Sequence, residues 1–154
     1  MEYLIVKWLH ILSSTLLFGT GLGSAYYMFL ASRTRDPRVV ATVVGHVVIA
    51  DWLFTTTTIV FQPASGFYLA HLAAMPLHSR WIVWSTLLYL FAGACWLPVV
   101  WMQIKMRGMA RAAAASGSAL PPTYWRYLRY WTMLGFCAFF ALIAIFYLMV
   151  VKPV

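Results

Sequence analysis

Charged residues are scarce in this sequence, and acidic residues are the scarcest of them. Only 9% of the 154 residues are charged, and three are acidic, whereas a soluble domain carries about 25% charged residues. Hydrophobic residues make up 64% of the chain. This balance excludes an ordinary soluble domain and indicates an integral membrane protein in a single domain.

Cysteine is also rare. Cys95 and Cys137 are the only two, and both fall within apolar runs. They do not form the disulfide framework that small secreted domains use, and they carry no information about the redox compartment. We expect both to be packing groups.

The shortage of acidic residues leaves a net charge of +8. Such a charge is compatible with nucleic-acid binding, but the basic residues lie between long apolar runs. The expected partner is therefore the surface of a lipid bilayer, and nucleic acid is not expected.

Four segments are long enough to cross a bilayer, which takes about 20 apolar residues. The predicted spans are residues 4–30, 42–72, 81–103 and 130–151. Lipid offers no hydrogen-bond partner to the backbone, so each span must be helical. The sequence thus predicts an all-α, four-helix integral membrane bundle. Residues 8–25 resemble a secretory signal, but we expect them to be a retained span.

The connections between the spans predict the orientation. Eight of the eleven basic residues lie in the first and third connections: Arg33, Arg35, Arg38, Lys105, Arg107, Arg111, Arg126 and Arg129. By the positive-inside rule these connections are cytoplasmic, and both termini lie on the outer side. In the third connection, "AAAASGSALPP" is expected to be flexible, and "TYWRYLRYW" to be an interfacial start to span four.

Span two is the most polar of the four. Asp51, Thr55, Thr58 and Gln62 share one helical face. A carboxylate within a membrane is costly and usually faces the bundle interior with a partner, so Asp51 and Gln62 are a candidate buried polar site. Pro63 removes a helix hydrogen bond and is expected to kink the span near Gln62.

Span one carries polar and small residues on opposite faces. Lys7, His10 and Ser14 share one side, and Gly19 and Gly23 form a GxxxG pattern on the other. GxxxG pairs let helix backbones approach closely. We therefore expect span one to contact protein on both sides.

Histidines cluster at the predicted outer end. They are His10 in span one, His71 at the end of span two and His78 in the following connection. Imidazole ligates haem iron and copper, and two histidines commonly hold a b-type haem between helices. His10 and His71 are the candidate axial ligands, and His78 joins them as a candidate metal ligand. For each of these residues, an ordinary interfacial or solvated position is the alternative.

Two basic residues complete the candidate cofactor site. Lys7 lies one turn outward of His10, where a cation suits a haem propionate but also snorkels to the interface in many spans. Arg80 follows His78 at the start of span three.

The opening "VKWLHI" and the later "FGTGL" resemble a group of small four-span bacterial membrane proteins. The group includes the HemJ type of protoporphyrinogen oxidase, the membrane domain of copper-resistance protein D, and a family of predicted integral membrane proteins. Lys7, His10, Gly21 and Leu22 keep the HemJ spacing, and "LHSR" resembles a Leu-His-x-Lys element. The chain differs from HemJ in having "AYYMFLAS" at the end of span one and no histidine in span three. The resemblance implies a four-helix bundle in a bacterial-type cytoplasmic (inner) membrane that binds b-type haem through His10.

Three functions follow from these observations. The first is a membrane redox protein with b-type haem, which passes electrons between a quinone or porphyrinogen and a partner. Copper is the alternative to haem as the bound cofactor. The second is a metal or small-solute transporter, with a path from the histidines through the threonine-rich face of span two to Asp51; it requires an oligomer. The third is a cofactor-free accessory subunit of a membrane complex.

The predicted orientation can be tested with a reporter fused to the C-terminus. The basic first and third connections are expected in the cytoplasm, so the C-terminus should lie on the outer side of the membrane. A reporter that is active only outside the cytoplasm should therefore be active at the C-terminus. A cytoplasmic readout would overturn the predicted topology.

Overall fold

A computed structural model describes residues 1–153, which form four long helices joined by short connections. α1 comprises Glu2–Thr34, α2 Pro37–Leu72, α3 Arg80–Ser116 and α4 Pro122–Val151. Each helix is long and apolar enough to cross a membrane. The described residues contain no strand, so the predicted all-α, four-helix membrane bundle is confirmed.

The first connection is a tight turn of two residues. Arg35 adopts a left-handed conformation (φ 58°) that ends α1. The Asp36 carboxylate accepts a hydrogen bond of 2.8 Å from the Arg38 backbone N–H, and Pro37 occupies the first turn of α2. Capping of this kind satisfies backbone donors that have no partner within the helix. It therefore lets α2 begin at Pro37, several residues before the predicted apolar span.

The third connection is shorter than the sequence predicted. α3 continues through the alanine run to Ser116 and ends where Gly117 takes φ +66°, a conformation that glycine adopts without strain. The prediction of a flexible segment is wrong for residues 112–116, because alanine is the strongest helix former. α4 then begins with Pro122 in its first turn.

Neighbouring helices pack side by side in chain order, and the ring closes loosely between α1 and α4. Phe18 of α1 supplies contacts there: its ring centroid lies 5.1 Å from that of Phe139 and 5.5 Å from that of Phe146. Lys152 Nζ lies 5.5 Å from the centroid of the Trp81 ring, so the C-terminus and the start of α3 share one end. We call this the terminal end, and the end with the first and third connections the basic end.

The apolar core lies toward the basic end. It contains residues from all four helices and the third connection: Met28, Val40, Val44, Val47, Val99, Met102, Met106, Ala110, Ala113, Leu120, Tyr124, Leu128 and Trp131. Ser32 and Tyr124, whose hydroxyl oxygens are 2.7 Å apart, join α1 to α4 beside it. Toward the terminal end, several polar side chains are buried instead.

α2 is irregular before its proline. A π-helical turn at Asp51–Thr55 separates Pro37–Ala50 from Thr56–Leu72, and the second part runs through Pro63 as continuous α-helix. Pro63 has no N–H to bond the carbonyl of Ile59, four residues earlier. The Tyr89 hydroxyl of α3 donates to that carbonyl at 2.6 Å, so a neighbouring helix satisfies the group that the proline leaves free.

The GxxxG pattern in α1 has no packing partner within the described chain. A Cβ atom added at Gly19 or Gly23 would meet nothing within 4 Å. The close helix approach expected at these glycines is therefore absent from the bundle itself.

The bond from Tyr89 should stabilise the fold only because Pro63 is present. Replacing Tyr89 by Phe should lower the free energy of unfolding by about 1 kcal/mol, since a buried carbonyl loses its donor. In a Pro63→Ala background the restored N–H takes over, and Tyr89→Phe should cost less than half as much. Denaturant unfolding in mixed micelles measures both, with the exposed Tyr147→Phe as a control. Equal costs in the two backgrounds would contradict this explanation.

Candidate functional site

His10 is the buried histidine of the chain, with 9% of its surface exposed, whereas His46, His71 and His78 are exposed. Its Nδ1 atom lies 2.7 Å from Ser65 Oγ of α2. The Ser65 hydroxyl also donates to the Phe61 carbonyl at 2.7 Å. A hydroxyl has one hydrogen, so Ser65 accepts from His10 Nδ1–H, and Nε2 keeps an unprotonated lone pair.

Two more residues of α2 hold the same region of α1. Gln62 Nε2 donates to the His10 carbonyl oxygen at 3.0 Å. A Cβ atom at Gly66 would lie 3.4 Å from His10 Cε1, so the imidazole packs directly against the α2 backbone. The polar face of α2 therefore fixes both the position and the tautomer of the His10 ring.

His10 lines a groove of about 120 Å³ in the terminal half of the bundle, open on one side. The walls are mostly apolar and come from all four helices. Its lining includes His10, Gln62, Ser85, Tyr89, Phe146 and Met149. The buried Ser85 hydroxyl has no hydrogen-bond partner among the described residues. We call this the outer groove.

The structure does not bring the other predicted ligands to His10. His71 and His78 are exposed and do not line the outer groove. Within residues 1–153, no three His, Cys, Asp or Glu side chains are placed to share a metal ion. Lys7 is exposed, with Nζ 5.9 Å from the centroid of the Tyr3 ring, and Arg80 is exposed as the first residue of α3.

The donor set of the outer groove fits one axial ligand of a haem. An imidazole whose Nδ1–H is hydrogen-bonded and whose Nε2 is free is the form that ligates iron. The groove itself is close in size to a cavity of about 150 Å³ that binds benzene. A tetrapyrrole is larger, so it would extend beyond the groove through the open side.

Asp51 is buried at the start of the π-helical turn, with 6% of its surface exposed. Thr55 Oγ1 donates to Asp51 Oδ1 at 2.9 Å. The amide of Gln103 from α3 lies near the same carboxyl group. The carboxyl group thus faces the bundle interior, and its partners are neutral polar groups. π-helical turns often occur at functional sites.

A larger cavity of about 430 Å³ lies beside Asp51. Its lining includes Asp51, Thr55, Gln103 and the side chains of Trp96 and Trp131. We call it the inner cavity. The inner cavity and the outer groove share four lining residues, Leu17, Phe18, Tyr89 and Leu142, so the two spaces adjoin.

Some residues of these sites had only a weak signal in the sequence. Ser65 sits at the edge of the predicted polar face, and nothing in its spacing links it to His10, 55 residues away. Gln103 stands at the predicted end of span three, where a polar residue is common, so its position alone did not indicate a site. The only available signal was that its amide is flanked by apolar residues.

The four apolar helices, with polar groups buried between them, define a multi-pass integral membrane protein. The chain belongs to the family described as predicted integral membrane protein (DUF2269), which matches residues 4–153. The predicted membership in a family of this kind is confirmed, and the relationship to HemJ and to copper-resistance protein D stays a prediction. No curated protein and no solved structure matches the chain.

The tautomer of His10 can be read by NMR of protein labelled with ¹⁵N-histidine. The contact with Ser65 should give His10 a protonated Nδ1 and an unprotonated Nε2. Ser65→Ala removes the acceptor, so the population should shift toward the Nε2–H form that free histidine favours. A His10→Gln sample assigns the signals. Wild-type His10 with a protonated Nε2 would contradict the arrangement.

Proposed function

We propose that this chain is a membrane redox protein that binds b-type haem, with His10 as an axial ligand. The observation that carries the proposal is the fixed imidazole: it is buried, it belongs to a residue that lines the outer groove, and its Nδ1 is bonded to Ser65, which leaves Nε2 unprotonated. An ionisable side chain kept inside a membrane span is a functional candidate by default.

The residues around His10 support ligation in three ways. Ser65 orients the ring and fixes its tautomer, as hydrogen-bond partners of metal-bound histidines do. Gln62 ties the His10 backbone to α2, so that the two helices hold the ring together. The mostly apolar lining of the outer groove would pack against the tetrapyrrole ring.

A second protein ligand is available in the groove. Met149 of α4 lines it, and a thioether is an established axial ligand of haem. His71, the second ligand that the sequence favoured, is exposed at the end of α2. Met149 is therefore the better candidate in this chain. Copper, the alternative metal, also accepts imidazole and thioether ligands.

The bound haem would supply a one-electron carrier within the membrane. The chain would then pass electrons between a quinone–quinol couple or a porphyrinogen and a partner. Because the tetrapyrrole extends beyond the outer groove, we propose that a second copy or a partner subunit covers its edge. The unpartnered Gly19 and Gly23 offer a face for close helix approach.

The two alternative functions have less support. Transport of a metal or small solute needs a continuous polar path, and three of the four residues shared by the outer groove and the inner cavity, Leu17, Phe18 and Leu142, are apolar. A cofactor-free accessory subunit would use its buried polar groups only as contacts between helices. That function gives no reason for the free Nε2 of His10.

The absorption spectrum of protein purified from haem-replete cells tests the proposal. The wild type should show a Soret band, and His10→Ala should lose at least about nine-tenths of it, because an axial ligand is removed. Ser65→Ala should keep the ligand but bind haem about tenfold more weakly, as expected for a supporting partner.

His71→Ala and His78→Ala are the matched controls, since both histidines are exposed, and each should keep the full Soret band. Wild-type protein without a Soret band would contradict haem binding. Full haem content in folded His10→Ala would exclude His10 as the ligand.

A further inference from the structure

Three residues that line the inner cavity carry buried polar atoms that nothing in the described chain satisfies. Trp96 Nε1, Trp131 Nε1 and Gln103 Oε1 are buried without a hydrogen-bond partner, and all three side chains line the cavity. Trp131 is only 6% exposed and Gln103 only 2%. Leaving a buried donor or acceptor unpaired is costly, and more so in a membrane interior. A ligand in the cavity that presents both acceptors and a donor would satisfy these three atoms.

The size and walls of the cavity suit a ring-shaped ligand. Its volume of about 430 Å³ lies within the range of about 300–1,000 Å³ typical of small-molecule sites. Aromatic side chains, including Phe29, Phe136 and Phe139, line it. Small residues such as Gly21 and Gly135 leave the room. Since α1 and α4 close the bundle only loosely, a ligand can enter from the lipid between them.

The polar groups narrow the chemistry of the ligand. The two indole N–H groups need acceptor oxygens, and Gln103 Oε1 needs a donor. An anionic lipid headgroup would be repelled by Asp51 when that group is ionised. A lipophilic cation pairs with Asp51 but offers the indoles no acceptor. An acyl chain satisfies none of these groups.

We propose that the inner cavity binds a quinone and its quinol. The carbonyl oxygens of a quinone accept from Trp96 and Trp131, and a quinol hydroxyl donates to Gln103 Oε1 or to Asp51. The ring packs among the phenylalanines, and the isoprenoid tail leaves between α1 and α4. This proposal identifies the lipid-soluble partner of a redox protein, but binding at the inner cavity does not depend on haem at His10.

Direct binding of a short-tailed benzoquinone to the full chain in lipid nanodiscs tests the proposal. Nanodiscs are separated after equilibration, and their quinone content is measured by chromatography, with empty nanodiscs subtracted to correct for partitioning. The wild type should show saturable binding of one quinone per chain. Gln103→Leu and Trp131→Phe should each raise the Kd about five- to tenfold, because each removes one hydrogen bond.

A matched pair of glycine variants guards against misfolding. A Cβ atom at Gly21 or at Gly108 meets nothing within 4 Å, but only Gly21 lines the inner cavity. Gly21→Leu should fold and abolish saturable binding by filling the cavity, whereas Gly108→Leu should bind like the wild type. Circular dichroism and size-exclusion chromatography confirm folding.

Three results would overturn the assignment: no saturable quinone binding by the wild type, wild-type binding by Gly21→Leu, or tighter saturable binding of a tetraphenylphosphonium cation that displaces the quinone. The Soret band is a separate readout. A Soret band without quinone binding would contradict the quinone site and leave the proposed haem binding intact. Quinone binding without a Soret band would contradict haem binding and leave the quinone site intact.

Discussion

Lipid offers no hydrogen bonds, and this constraint governs the interior of the bundle. A polar group between the helices must find its partner there, because the surrounding hydrocarbon supplies none. The Ile59 carbonyl freed by Pro63 receives the Tyr89 hydroxyl. His10 Nδ1 is paired with Ser65, and Asp51 with Thr55. Each of these hydrogen bonds also fixes the position of a side chain. The same contacts therefore satisfy buried polar groups and position the residues of the two sites.

The groups that escape this rule are the informative ones. His10, whose Nε2 is left unprotonated, lines the outer groove, and Trp96 and Trp131, whose indole N–H groups have no partner, line the inner cavity. Phe18 lines both sites and also joins α1 to α4. A redox ligand in one site and a lipid-soluble carrier in the other would be separated by the thickness of a few side chains.

Much of this fold was predictable because membrane helices obey simple rules of length and hydropathy. The four spans, the buried face of Asp51 and Gln62, and the burial of His10 all follow from apolar runs and helical spacing. Prediction failed where it depended on helix ends: the alanines up to Ser116 are helical, although their small side chains suggested a flexible segment. Contacts between helices could not be predicted from the sequence, because the pairing of His10 with Ser65 depends on the relative position of α1 and α2 along their axes. The same applies to His71: it was predicted to lie at a depth near that of His10, but it does not line the outer groove.

Haem iron held by the imidazole of His10 in α1 is the central proposal. Electron paramagnetic resonance tests this most directly, on oxidised protein in which His46, His71 and His78 are replaced by Gln and the remaining histidine carries ¹⁵N. The account predicts a ferric haem signal with hyperfine coupling to the ¹⁵N of His10. A sample without ferric haem, or a haem signal without that coupling, would contradict it.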